Sequence, residues 1–131
     1  MSTSTATSVG RLATAFLAEL DNEAKVTRSC LERVPVEKFD WKPHEKSMTM
    51  GRLAVHCAEM FGWTKETLKS DVLDFATMDY IPFEPKSTEE LLAFFDDHIT
   101  DSHLAFIKVN LDRRRADHAW DSKLPRDNRR M

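Results

Sequence analysis

Five histidines, two cysteines and a set of carboxylates are the side chains of this sequence that could do chemistry. The most suggestive is His56, in Leu53-Ala54-Val55-His56-Cys57-Ala58-Glu59-Met60. It lies three residues after Leu53 and four before Met60, a spacing that turns its ring toward the interior of a helical bundle. Inward positions on facing helices are where bundles build metal sites, and a neutral imidazole nitrogen is a good metal ligand. Glu59, one turn on, is in reach to orient or ligate, although a Glu at a helix edge is ordinarily solvated. His98 is the second candidate, on an apolar stripe four residues after Phe94 and three after Phe95. His103 stands about 140° around the helix from His98 and shares no face with it. His44 and His118 read as solvated, in a connector and a tail. A catalytic zinc wants three protein ligands and a water, and the spacing offers His56 and His98.

Other chemistries find little support. Cys30 and Cys57 form neither a metal pair nor a redox motif, and both read as small buried hydrophobes. Cys57 adjoins His56, but adjacent helical residues point about 100° apart, which argues against a Cys/His pair. No nucleophilic triad, phosphate-cradling glycine loop or dinucleotide fingerprint is present.

The elements that must position these residues are helices. Apolar residues from Val9 to Val34 (Leu12, Ala13, Phe16, Leu17, Leu20, Ala24, Cys30 and Leu31 among them) recur at three and four, predicting a helix over about 8–33 that Pro35 stops. Residues 35–46 are a connector whose Phe39 and Trp41 cap one end of the core. Ser47 reads as the N-cap of a second helix to about Ser70, burying Met50, Leu53, Ala54, Cys57, Phe61, Thr64 and Leu68. Residues 71–86 form a long loop with Tyr80, Ile81 and Phe83 as apolar anchors. Loops of that length are often functional or cover a pocket. Ser87-Thr88-Glu89-Glu90 is a capping box, opening a third helix over 87–111 that carries Leu91, Leu92, Phe94, Phe95, His98, Ile99, Ser102, Phe106 and Val109. The helices are expected to run up-down-up.

The totals agree with one all-α domain. The chain has 131 residues, 41% hydrophobic and 31% charged, with only three Gly and five Pro, too little turn punctuation for an all-β fold. The net charge is −3, but residues 110–131 carry +3 and residues 1–109 carry −6. A basic segment can touch phosphates; without a helix-turn-helix or an aromatic-basic platform, nucleic acid is not the expected partner. No run reaches the roughly 20 apolar residues of a membrane span. MSTSTATS lacks the features of a secretory signal, so the expected location is the cytoplasm.

One segment carries a resemblance. Trp41-Lys42-Pro43-His44-Glu45-Lys46-Ser47-Met48-Thr49-Met50-Gly51-Arg52-Leu53-Ala54-Val55-His56-Cys57-Ala58 resembles the W-x-P-x-x-x-S-M-T-x-G-x-L-A-x-H-x-A run of the DinB-like family, and the likeness extends over roughly residues 8–104. The resemblance implies an antiparallel four-helix bundle. In it, three histidines from two helices bind a divalent ion, often zinc or nickel, used by some members on a low-molecular-weight thiol. His56 stands at the family's first ligand position. The other two ligands come from an H-x-x-x-H pair on the last helix, and nothing after Phe106 matches it.

The expected organisation is a helical bundle over 8–111 with an incomplete or divergent fourth helix, then a basic tail over 112–131. Its uncovered apolar face predicts a homodimer. Two functions compete. One is a metal-dependent thiol transferase or hydrolase-like protein, with catalysis impaired by the missing ligands. The other is a non-catalytic bundle or interaction module.

Overall fold

Three α-helices and one 3-10 turn make up the computed structural model, which describes residues 5–121, with side chains from 12 to 109. Helix α1 spans Thr5–Leu31, α2 Met50–Lys69 and α3 Thr88–Asp121, with the turn at Val36–Lys38. No strand occurs among the described residues, and none of the helices searched is long and apolar enough to cross a membrane. The helix α3 continues ten residues past the expected end at 111. Residues 122–131 and the His118 side chain lie outside what is described.

The ends of the helices differ in detail from the sequence reading. α1 stops at Leu31, and Glu32 to Val34 turn off it before Pro35. α2 begins at Met50, and its N-cap is Thr49 rather than Ser47: Thr49 Oγ1 accepts from Arg52 N–H at 3.1 Å. Ser47 instead closes a turn, its N–H donating to His44 O. The connector supplies the other acceptors. Met50 N–H donates to Trp41 O and Gly51 N–H to Phe39 O, both at 2.9 Å. The first amides of α2 are thereby satisfied by protein groups. Gly51 suits this approach, because a Cβ there would lie 3.0 Å from Phe39 Cβ and push the connector back by a few tenths of an ångström. Phe39 packs on the core as expected, whereas the Trp41 ring is half exposed and serves through its carbonyl. At α3 the capping box forms with one shift: Ser87 Oγ accepts from Glu90 N–H at 3.1 Å, and Glu90 Oε2 accepts from Lys86 N–H at 2.7 Å.

The direction of α3 corrects the up-down-up expectation. α1 and α3 are antiparallel, with Arg28 beside Asp96, Asp21 beside His103 and Phe16 stacked on Phe106. α2 and α3 are parallel: Gly62 meets His98, Lys65 Nζ lies 3.0 Å from Asp101 Oδ2, and residues 49–52 lie beside 82–86. The loop after α2 is therefore a crossover. It passes Trp63 at Phe75 and Arg52 at Tyr80, and reaches the start of α2 at Phe83. α2 is about 30 Å long, and 18 extended residues reach roughly 60 Å, so the return is easily spanned.

Burial departs from the sequence reading on two helices. α2 buries Gly51, Ala54, Val55, Ala58, Glu59 and Gly62, while the expected Leu53 is 52% exposed. The small residues let α3 come close with its large ones, Leu91 and Phe95. On α1 only Leu31 is buried among the described side chains; Leu12 and Phe16 are exposed, and so is Cys30. Cys57 is partly buried. The reason is that α3 packs against both other helices while α1 and α2 scarcely touch. Leu31, Ala54, Val55, Ala58, Leu91 and Phe95 make a core at one end. Toward the other end an open groove separates α1 from α2.

Candidate functional site

Glu59 is the hub of the polar chemistry. Its α2 position faces inward among small residues, and it is 5% exposed. Oε1 accepts from His56 Nδ1 at 2.9 Å and from both terminal nitrogens of Arg52 at 3.2 and 3.3 Å. Oε2 accepts from the Tyr80 hydroxyl, and Arg52 donates to the same Tyr80 oxygen at 2.8 Å. Arg52, His56 and Glu59 lie on one face of α2, separated by four and three residues. Tyr80 arrives from the crossover. Burial alone would raise the Glu59 pKa; the hydrogen bonds from Tyr80, His56 and Arg52 together outweigh it and hold the carboxyl below its ordinary range. Burial, and then the bond to Glu59, raise the Tyr80 phenol.

With Glu59 ionised, His56 Nδ1 is the donor of the pair, which leaves Nε2 as the ring nitrogen not engaged by Glu59. A carboxylate behind an imidazole is the usual arrangement at a metal-ligating histidine. The ring is steadied by Trp63, edge-on at 5.4 Å, and Trp63 by Phe75 at 5.5 Å. His56 does not project into the core. Its side chain is 29% exposed at the edge of α2, because the buried face of α2 is the small-residue stripe.

His98 is placed differently. It packs at right angles to Phe94, ring centroids 4.4 Å apart, with Nδ1 pressed against Gly62. Nε2 is buried without a hydrogen-bond partner among the described residues. Burial lowers its pKa, against the opposing pull of Asp101, Glu59 and Asp97. His103 faces α1 instead, with Nε2 2.7 Å from Asp21 Oδ1 but off the line of a good hydrogen bond. His44 is exposed, its Nδ1 accepting from Lys46 N–H at 3.2 Å.

The donors do not assemble into a metal centre: among the described residues no three of His, Cys, Asp and Glu are placed to hold one ion. His56 is oriented as a ligand, Glu59 is saturated by three partners, and His98 is packed between aromatic and glycine. The described residues thus do not by themselves make the three-ligand zinc or nickel site that the resemblance implies. Sequence reasoning put Glu59 in reach of orienting His56 but favoured a solvated edge residue, read Tyr80 as an apolar anchor, and passed over Arg52. The available signal was the i, i+4, i+7 spacing of Arg52, His56 and Glu59 beside a run of small residues.

The second feature is the groove between α1 and α2. It encloses about 340 Å³ lined by Phe16, Leu20, Met60, Phe61, Thr64 and Phe106, and it continues past Trp63 to Leu68. Phe16 is 48% exposed and Met60 52%.

No family model matches this chain, and no curated protein or solved structure matches it.

Proposed function

We propose that the chain is a DinB-like helical bundle acting as an interaction module, whose groove between α1 and α2 receives an amphipathic helix. The carrying observation is the open row of Phe16, Leu20, Met60, Phe61 and Phe106. Exposed apolar surface of this kind marks binding sites on soluble domains, and a helix laid in a groove is a common way to cover it. The Glu59 network then has a structural role, tying the crossover to α2. The test is titration with the apolar dye 1-anilinonaphthalene-8-sulfonate. The parent should bind and brighten the dye, and Met60→Glu, at an exposed position, should abolish the signal with its helical circular dichroism unchanged. Equal dye binding by both proteins would refute the groove as the site.

The metal-dependent thiol transferase or hydrolase is the second reading, favoured by the backing of His56 by Glu59. It requires two more ligands converging on Nε2. Elemental analysis for zinc and nickel after dialysis decides between the readings. Stoichiometric metal in the parent and none in His56→Ala would establish a metal protein. Absence of metal from both is the outcome expected of an interaction module.

A further inference from the structure

The groove between α1 and α2 has an apolar floor and one charged wall. Glu19 and Glu23 line the α1 side, four residues and so one helical turn apart, and both are exposed. Neither takes part in an ion pair among the described residues. The α2 side carries Thr64, Thr67 and Leu68 and no charge. The described lysines nearest in sequence do not balance the wall. Lys65, next to Thr64, is held by Asp101 of α3 at 3.0 Å. Lys69 stands seven residues after Gly62, in line with the buried stripe of α2 rather than with its groove side. Lys25 is about 200° around α1 from Glu23. Residues 1–109 carry −6 in all, so the two carboxylates lie within an acidic field.

We propose that the groove takes a basic amphipathic helix of another protein. Its apolar side lies on Phe16, Met60 and Phe106, and Lys or Arg one turn apart along its edge face Glu19 and Glu23. From Met60 to Leu68 the groove runs about 12 Å, room for roughly two turns of the partner. Apolar contact supplies the area, and the unpaired carboxylates select the sign of the partner's charge. An acidic helix would set like charges against that wall, which is unfavourable across an interface. A second copy laid groove to groove would do the same, bringing two pairs of rim carboxylates into one contact. This inference rests on the groove being a helix-binding site, as proposed above, and names the chemistry of the helix.

The experiment is fluorescence anisotropy of the full chain with two labelled synthetic peptides about five turns long. Both present leucine on one face; the other face is lysine in the first and glutamate in the second. Circular dichroism checks that each variant is folded. The parent should bind the Leu/Lys peptide at least tenfold more tightly than the Leu/Glu peptide, with the gap narrowing as salt is raised. Met60→Ser, which changes no charge, should weaken the Leu/Lys peptide several-fold. Glu19→Lys with Glu23→Lys should weaken it about tenfold and strengthen the Leu/Glu peptide. Glu37→Lys with Glu45→Lys makes the same change in net charge at exposed positions outside the groove, and should leave the preference in place. Equal loss in the two double variants would reduce the effect to net charge and overturn the proposal. Met60-dependent binding of both peptides alike would overturn the basic partner and leave the groove reading standing. A parent that binds neither peptide but dimerises in sedimentation velocity would assign the groove to a second copy, which also overturns it. Failure to bind either peptide or the dye would sink both readings.

Discussion

A methyl group added at Gly62 would sit 2.2 Å from His98 Nδ1. Alanine is favoured over glycine inside a helix by about 1 kcal/mol, but overpacking of this kind costs about 1–3 kcal/mol. The Phe94 ring behind His98 leaves the imidazole little room to retreat. Gly62→Ala is expected to lower the melting temperature by several degrees in the parent and to be neutral or stabilising in a His98→Ala background. Thermal melts of the four proteins measure that sign change, and the same sign in both backgrounds would disprove the clash. Glu59 and His98 also give the fold a pH profile. The Glu59 pKa is held below its ordinary value of 4.5, so its contribution is complete above that value and lost as pH falls through the lowered one. The His98 pKa is lowered from 6.5. The unfolded chain therefore takes up a proton first, and stability drops as pH falls below 6.5 until the lowered value is passed. Urea midpoints against pH should lose the upper part of the decline in His98→Ala and the lower part in Glu59→Gln. Unchanged profiles would refute both assignments. Of these residues, the candidate histidines were legible in the sequence. Glu59, one turn from His56, was in view as well, whereas Tyr80 on Glu59 and Gly62 against His98 were not, because they arrive through a crossover and a parallel helix pair that spacing along one helix does not reveal.

At the level of elements, the type and number of the three helices were legible from their three-and-four spacing, and their ends were legible to within a few residues except at α3, which runs ten residues past the expected end at 111. Ser47 and Thr49 are both good N-caps by type, and the choice between them depends on carbonyls of Trp41 and Phe39 folding back over Met50 and Gly51. Thr49→Ala should therefore cost about 1 kcal/mol and Ser47→Ala almost nothing. Denaturant unfolding of the two variants separates the positions, and the reverse order would restore Ser47. The face of α2 was misread in part because Leu53 is the larger hydrophobe, yet beside the expected Ala54 the closest packing selects Val55, Ala58 and Gly62. Hydrophobicity favours large side chains inside; close approach of two helices favours small ones on one partner. The crossover is held at Tyr80 through its hydroxyl. Tyr80→Phe removes that tie and keeps the ring, so limited proteolysis within residues 71–86 should accelerate several-fold while the helices stay intact. An unchanged cleavage rate would show that Phe75 and Phe83 anchor the loop unaided.

Across the whole molecule, helical class was readable from composition, but helix direction was not. Composition and periodicity say nothing of whether 18 residues between α2 and α3 make a wandering turn or a return. The return has a consequence for how the protein is made. α1 emerges from the ribosome first, yet its main contacts are with α3, and the Arg28–Asp96 pair bridges 68 residues of sequence. At about 5–20 residues per second, the stretch between them takes roughly 3–14 seconds to synthesise. Through that interval the apolar row of α1 has no helix to lie against, since α2 scarcely touches it. Ribosome-bound chains arrested within residues 71–86 should show α1 open to protease, and chains arrested well beyond Asp121 should show it protected. A holdase chaperone that binds exposed apolar helices should bind the first set and release the second. In this order of events α1 is the first of the three helices made and the last to find its place.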